Sequence, residues 1–231
     1  MSEIADNLRQ VRERLLRAER ASGRTDGSVS LLAVSKTKPA VAIREAYAAG
    51  QVAFGENYVQ EAVSKITELA GLPLEWHFIG PLQSNKSRAV AEHFAWVHSV
   101  DRLKLAERLS AQRPAGLPPL NICLQVNIDD EASKSGCTLA ELPALVRGVL
   151  ALPHLRLRGL MCIPRPGHPE AFTVLAKTRQ DLLVSIAGLD AGGFDTLSMG
   201  MSDDLEPAVA AGSTCVRLGT AIFGAREYAS N

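Results

Sequence analysis

Lys36 closes the apolar run Leu31-Leu32-Ala33-Val34-Ser35 and is the side chain of this sequence best placed for covalent chemistry. Alternate residues of an extended strand share a face, so Lys36 points the same way as Leu32 and Val34. Desolvation in an apolar interior favours the neutral amine, and a neutral lysine amine attacks aldehydes to give a Schiff base. The position is equally compatible with a solvated lysine at a strand end. Lys38, two residues on and just before Pro39, reads as solvated.

A second group lies near the end of the chain, in Ser198-Met199-Gly200-Met201-Ser202-Asp203-Asp204-Leu205 and Arg217-Leu218-Gly219-Thr220-Ala221-Ile222-Phe223-Gly224. Glycine at a helix start lets an anion reach backbone N–H groups, so the Ser202 hydroxyl and the N–H groups near Gly219 and Thr220 can serve as phosphate donors. A structural use is also open: Ser202 or Asp203 caps the helix running through Leu205, Ala208 and Val209, and Gly219 turns the chain. Arg217 shares a strand face with Cys215 and Gly219. An interior guanidinium needs a partner, either a carboxylate or the acceptor atom of a bound heteroaromatic ring.

In His77-Phe78-Ile79-Gly80-Pro81-Leu82-Gln83-Ser84-Asn85-Lys86, Gly80-Pro81 breaks a strand and Ser84 can cap a helix containing Val90. His77 has no second histidine at metal-ligand spacing and reads as a satisfied core histidine; Asp101, just before Leu103 and Leu105, reads as an N-cap. Cys123, Cys137, Cys162 and Cys215 are scattered without a CxxC pair, which suggests reduced core thiols rather than a zinc site or a disulfide framework.

These residues must be positioned by a regular scaffold. Ile4, Leu8, Val11, Leu15 and Leu16 recur at helical spacing, predicting an amphipathic helix over about residues 3–20 that Ser22-Gly23 ends. Short apolar runs at 30–35, 52–54, 75–79, 95–100, 120–126, 155–161, 194–198 and 213–218 then alternate with helical stretches. That alternation is the order of parallel strands joined by right-handed crossovers. Eight βα units in 231 residues suit a (β/α)8 TIM barrel, whose usual length is about 250 residues; an open doubly wound sheet is the alternative.

A barrel carries its chemistry on the loops after the strands. Lys36 follows the first strand, Glu56-Asn57 the second, Gly80 to Lys86 the third, Asp101 the fourth and Asn127 the fifth. Met161-Cys162-Ile163-Pro164, Gly200-Met201-Ser202 and Gly219-Thr220 follow the last three. The Pro-rich stretch at 112–119 reads as a loop, which leaves one domain over 1–231 with an added N-terminal helix.

The balance of 25 Lys+Arg against 25 Asp+Glu supplies no field for general nucleic-acid or anionic-membrane binding, though a local anion site remains open. Acids at Glu3 and Asp6 and the shortness of every apolar run point to a soluble, cytoplasmic protein.

Taken together, the segments resemble the pyridoxal-phosphate homeostasis family, also described as YggS-like or proline-synthase co-transcribed proteins. The resemblance is carried by Ala33-Val34-Ser35-Lys36-Thr37, Phe54-Gly55-Glu56-Asn57-Tyr58-Val59-Gln60-Glu61, the 77–86 string, Ser133-Lys134-Ser135-Gly136, Arg158-Gly159-Leu160-Met161 and the two glycine-bearing segments above. It spans nearly the whole chain; the stretches after Met161 and at 112–119 look less typical. It implies a barrel like the N-terminal domain of alanine racemase, holding pyridoxal 5′-phosphate as a Schiff base on Lys36. Ser202, Gly219 and Thr220 would hold the phosphate, Arg217 would sit near the pyridine nitrogen, and Asn57, His77 and Met199 would line the pocket. Family members are regarded as regulators of vitamin B6 and amino-acid homeostasis, usually without demonstrated catalysis.

Residue chemistry bears on that last point. Pyridoxal phosphate is an electron sink when its ring nitrogen is protonated, and an arginine there donates to an unprotonated nitrogen and weakens the sink. The barrel is also expected to use up the chain, leaving no β-domain to supply a second base. The expectation is therefore a monomeric carrier or buffer, with pyridoxal-phosphate-dependent apoenzymes as recipients. An active enzyme, such as a slow amino-acid racemase or a Schiff-base lyase, is the alternative.

Overall fold

The apolar runs become strands that pair side by side in chain order and close on themselves. A computed structural model describes residues 2–131 and 134–225, so Met1, Ser133 of the Ser133-Lys134-Ser135-Gly136 segment and residues 226–231 lie outside the described residues. The eight strands are β1 (Ser30–Val34), β2 (Ala53–Glu56), β3 (Glu75–Phe78), β4 (Trp96–Val100), β5 (Leu120–Gln125), β6 (Leu155–Met161), β7 (Thr196–Ser198) and β8 (Cys215–Leu218). All pair in parallel, and β1 meets β8 in register from Ser30 opposite Cys215 to Ala33 opposite Leu218. That closure rules out the open doubly wound sheet.

Helices follow the strands in turn: α2 (Ala40–Ala48), α3 (Val59–Glu68), α4 (Ser87–His93), α5 (Leu103–Gln112), α6 (Leu142–Leu150), α7 (Glu170–Ser185), α8 (Leu205–Ala210) and α9 (Thr220–Phe223). β2 reaches Glu56, beyond the expected 52–54, because Gly55 and Glu56 pair with His77 and Phe78 of β3. β7 starts later than the apolar run at 194–198: the Phe194 carbonyl accepts the Arg179 Nε–H at 2.7 Å from α7. None of the described helices is long and apolar enough to cross a membrane.

The helix that follows β8 is too short to cover it, and the N-terminal helix α1 (Glu3–Ala21) takes over that part of the outer layer. It packs on α2, α8 and α9 and buries Leu8, Val11, Leu15 and Ala18. Its polar side chains tie down the last two loops. Asn7 Nδ2 donates to the Ile222 carbonyl at 3.1 Å, and Arg14 donates to the Ser202 carbonyl at 2.7 Å and to both Glu206 carboxylate oxygens. Buried Glu19 accepts the Gly27 and Val29 N–H groups and the Ser28 hydroxyl, which fixes the entry to β1.

Three expected caps are placed differently. The N-cap of α8 is Asp204, not Ser202 or Asp203, and its carboxylate accepts the Met201 N–H at 2.6 Å. Arg102, not Asp101, occupies the N-cap of α5, held by the Asp101 carboxylate at 2.5 Å. Ser84 opens a 3₁₀ turn, Ser84–Lys86, where its hydroxyl accepts from Arg102, and Lys86 stands at the N-cap of α4.

Most of the core lies between the sheet and the helices, whereas inside the barrel Leu32, Ile79 and Cys215 form a small separate apolar cluster. The strands approach most closely at Gly159, where a Cβ would lie 1.7 Å from the Thr196 carbonyl oxygen of β7. Gly159→Ala is expected to destabilise the barrel by about 1–3 kcal/mol or more, as overpacking does. Urea denaturation checks this; an unchanged midpoint would mean that β6 and β7 separate at no cost.

Candidate functional site at the carboxyl ends of the strands

Side chains alternate across a strand, and the end of β2 shows the consequence. A Cβ on Gly55 would meet Leu32 and Ile79 inside the barrel, so Glu56 points outward, toward α3. There it is fully buried against Lys65, whose ammonium donates to Glu56 at 2.8 Å, to Glu61 at 2.5 Å and to the Ser35 carbonyl at 2.8 Å. Burial pushes the Glu56 carboxyl above the usual carboxylate range, while Lys65 and the Ser35 hydroxyl, at 2.7 Å, work the other way.

This cluster grips the backbone on both sides of Lys36. Ser35 is held through its hydroxyl and its carbonyl, and the Thr37 N–H donates to Glu61 at 2.6 Å. Thr37 itself adopts a left-handed conformation, with φ of 63°, which a threonine holds only when its surroundings fix it. Lys36 is half-buried in the turn.

The loop after β8 reaches the same place. A Cβ on Gly219 would lie 3.2 Å from the Val34 carbonyl oxygen, so the chain turns into α9 directly beside the end of β1. Lys38 is half-buried and engaged by backbone carbonyls rather than left free in solvent. Its ammonium donates to the Phe223 and Ala225 carbonyls at 2.9 and 2.8 Å, lashing the loop after β1 to the end of α9. Gly219 is the N-cap of α9; its carbonyl accepts the Ile222 and Phe223 N–H groups, which leaves those of Thr220 and Ala221 without an acceptor within the helix. Ser202 stands half-buried between β7 and α8, with its carbonyl held by Arg14.

Just past the end of β2, Asn57 packs so tightly against the residues after β3 that a Cβ on Gly80 would sit 2.4 Å from its carbonyl oxygen. A cavity of about 220 Å³ opens there, bounded by Asn57, Ile79, Gln125, Asn127 and Lys134. The Oδ1 atoms of Asn57 and Asn127 are buried with no hydrogen-bond partner among the described residues.

Arg217 is buried on the inner face of β8. Its guanidinium donates to the Ser198 hydroxyl at 2.8 Å and to the Cys162 carbonyl at 3.0 Å, so its protein partners are neutral rather than the carboxylate one would expect. Burial pulls it below the usual guanidinium range, yet arginine stays charged throughout the accessible pH range.

Two of the expected site residues lie apart from this group. His77 sits deeper on β3, stacked on Trp96 with ring centroids 5.3 Å apart, and bonds to Glu75 and His98; it reaches Arg217 only through His98 and Ser198. Met199 is fully buried in the outer core behind β7, and its carbonyl accepts the Ser213 hydroxyl at 2.6 Å. All four cysteines are buried free thiols. Sequence reasoning missed the Glu56–Glu61–Lys65 cluster, although Glu61 and Lys65 stand at helical i, i+4 spacing just after the Gly55-Glu56 step. It also missed His98 and Ser198, whose signal was strand parity.

The closed parallel barrel is of the alanine racemase N-terminal class. Residues 1–227 match the family described as alanine racemase, N-terminal domain. The pyridoxal phosphate homeostasis protein of Pseudomonas aeruginosa is 62% identical over 230 residues, covering 99% of this chain and 98% of that protein. Its Escherichia coli counterpart is 58% identical over 233 residues, with 99% of each covered. The chain belongs to the pyridoxal phosphate homeostasis protein family. Among solved structures, PipY of Synechococcus elongatus with PLP bound superposes with a TM-score of 0.83 at 41% identity, covering 96% of this chain and 100% of that one. Alanine racemase of Corynebacterium glutamicum, with a TM-score of 0.69 at 16% identity over 99% of this chain and 62% of that one, shares the fold.

Lys65→Met leaves the Glu56 carboxylate buried without its cation and is expected to cost roughly 3–5 kcal/mol in urea unfolding. Adding Glu56→Gln should recover part of the loss. A single variant as stable as the parent would remove the cluster from its positioning role.

Proposed function

We propose that this chain binds pyridoxal 5′-phosphate at the carboxyl ends of the strands, as a Schiff base on Lys36, and serves vitamin B6 and amino-acid homeostasis as a carrier or buffer of the cofactor. The observation that carries this reading is the convergence of the Lys36 turn with the start of α9 beside Val34. The PLP-bound PipY structure and the names of the relatives support the choice of cofactor.

The residues fit the group. Lys36 brings an amine, Ser202 a hydroxyl, and Gly219 and Thr220 backbone N–H groups at a helix start, while Arg217 has only donors to offer a ring nitrogen. Asn57 contributes a buried Oδ1 still lacking a donor among the described residues. When bound, pyridoxal phosphate supplies an aldehyde and an electron sink whose strength depends on ring protonation. In this reading His77 acts one step removed, through His98 and Ser198, and Met199 anchors the loop after β7 from behind.

Arg217 supports the carrier reading over the enzyme one without forbidding catalysis, since racemases of the related fold also use an arginine. Pinned by Ser198 and the Cys162 carbonyl, it holds a permanent positive charge and a hydrogen-bond donor where a strong sink calls for an acid. That arrangement favours holding and releasing the aldehyde over stabilising a carbanion. Recipients would be apoenzymes using the same cofactor, met in the cytoplasm by a monomeric chain.

Deuterium exchange at Cα of added amino acids is expected not to exceed that of free cofactor; exchange well above it would make the protein a racemase-type enzyme. Lys36→Ala should abolish the Schiff-base absorbance while some cofactor stays bound through its phosphate. Ser202→Ala should weaken cofactor retention by about 1.5–3 kcal/mol, the size of a hydrogen bond to a charged group. Unchanged affinity by fluorescence titration would take Ser202 out of the phosphate site.

A further inference from the structure

A cavity of about 420 Å³ opens at the opposite, amino-terminal end of the strands, bounded by Ser30, Leu32, Glu75, Trp96, Arg158 and Asp195 among others. Nothing in the reading above uses it. Its charges do not balance. Arg158 is taken up by Asp195, with contacts of 3.1 and 2.5 Å, by Asn121 at 3.3 Å and by the Trp96 ring 4.8 Å away. His77 is neutral, since burial lowers its basicity further than Glu75 restores it. That leaves the half-exposed Glu75 carboxylate as the one formal charge of the lining with no cation in direct contact among the described residues; Arg158, already bound by Asp195, acts on it only from further away. Hydrogen bonds from His77 and from Trp96 hold its carboxyl below the usual carboxylate range, so it is ionised at neutral pH.

Glu75 is also the end of a chain of hydrogen bonds along the barrel interior, and the two charged ends fix the direction of every link. Arginine can only donate and an ionised carboxylate can only accept. Arg217 therefore donates to Ser198 at 2.8 Å, Ser198 to His98 Nδ1 at 2.7 Å, His98 Nε2–H to His77 Nδ1 at 2.9 Å, and His77 Nε2–H to Glu75 at 2.7 Å. Both imidazoles are thus Nε2–H tautomers. Charge placed against Glu75 is felt by each link in turn, because hydrogen bonds in a dry chain polarise one another.

We propose that this cavity is a second binding site, taking a small organic cation of the alkylammonium class with its charge on Glu75 and its apolar body over Leu32, Ala53 and Cys215, and that the chain from Glu75 to Arg217 reports its occupancy. A metal ion suits the place poorly: among the described residues, no group of three or more His, Cys, Asp or Glu side chains could hold one. The site stands independently of the cofactor reading.

The test titrates choline into the holoprotein against an equal series of potassium chloride and follows the imidazole nitrogen signals of the five histidines. Choline has no primary amine and cannot condense with an aldehyde, so its effect is separable from events at Lys36. The signals of His77 and His98 should shift and saturate, while those of His93, His154 and His168 stay still. Glu75→Gln should weaken this binding about tenfold or more, and Ala53→Leu should do the same by filling the cavity with the carboxylate intact. No saturable shift, an equal shift with potassium chloride, or an unchanged response in both variants would overturn the proposal.

Discussion

A single buried ammonium, that of Lys65, holds the working end of this barrel in shape. It lies between Glu56, Glu61 and the carbonyl of Ser35, in a layer where an unpaired charge of either sign would be costly. The cluster contributes little as an isolated ion pair, since desolvation cancels most of the attraction. Its effect is geometric: it reaches around β1 and clamps the residue before and the residue after Lys36, including Thr37 in a conformation it would otherwise avoid. If Lys36 condenses with an aldehyde as proposed, it needs that rigidity, because a long lysine side chain on a loose turn would sample many positions.

The same logic extends around the rim. The loops after β7 and β8 are braced from outside by α1, through Arg14 and Asn7, and across the gap by Lys38. An N-terminal helix therefore takes over part of the outer layer that the short α9 leaves, and at the same time braces the loops after β7 and β8. The interior departs from the stacked apolar layers usual in such barrels. Here the apolar part is reduced to Leu32, Ile79 and Cys215 with their neighbours, and the space beside it is given to two histidines, a serine and an arginine in one hydrogen-bonded line. A cation as deeply buried as Arg217 is tolerable because that line leads to a carboxylate at the other mouth.

The fold was legible in the sequence because its signals are local. All eight strands lie within or beside the apolar runs, and β6 matches its run residue for residue, since alternating apolar runs and helical stretches report burial directly. Lys36, Gly219 and Thr220 were legible as site candidates from their place after the strands. What could not be read were contacts between distant segments. Lys38 looked solvated because its acceptors, Phe223 and Ala225, lie at the other end of the chain. Arg217 called for a carboxylate and found one only through three intervening side chains. The caps expected at Ser84, Asp101 and Ser202 are instead placed at Lys86, Arg102 and Asp204, with the Ser84 hydroxyl accepting from Arg102 and the Asp101 carboxylate held by it.

The central claim is that the Lys36 amine is the point of covalent attachment. Borohydride reduction of the purified protein with pyridoxal 5′-phosphate, followed by proteolysis and mass spectrometry, tests it most directly. The account predicts one modified peptide, spanning Lys36 and heavier by a reduced phosphopyridoxyl group, with Lys38 and Lys65 untouched. A label spread over surface lysines, or concentrated on any lysine other than Lys36, would contradict it.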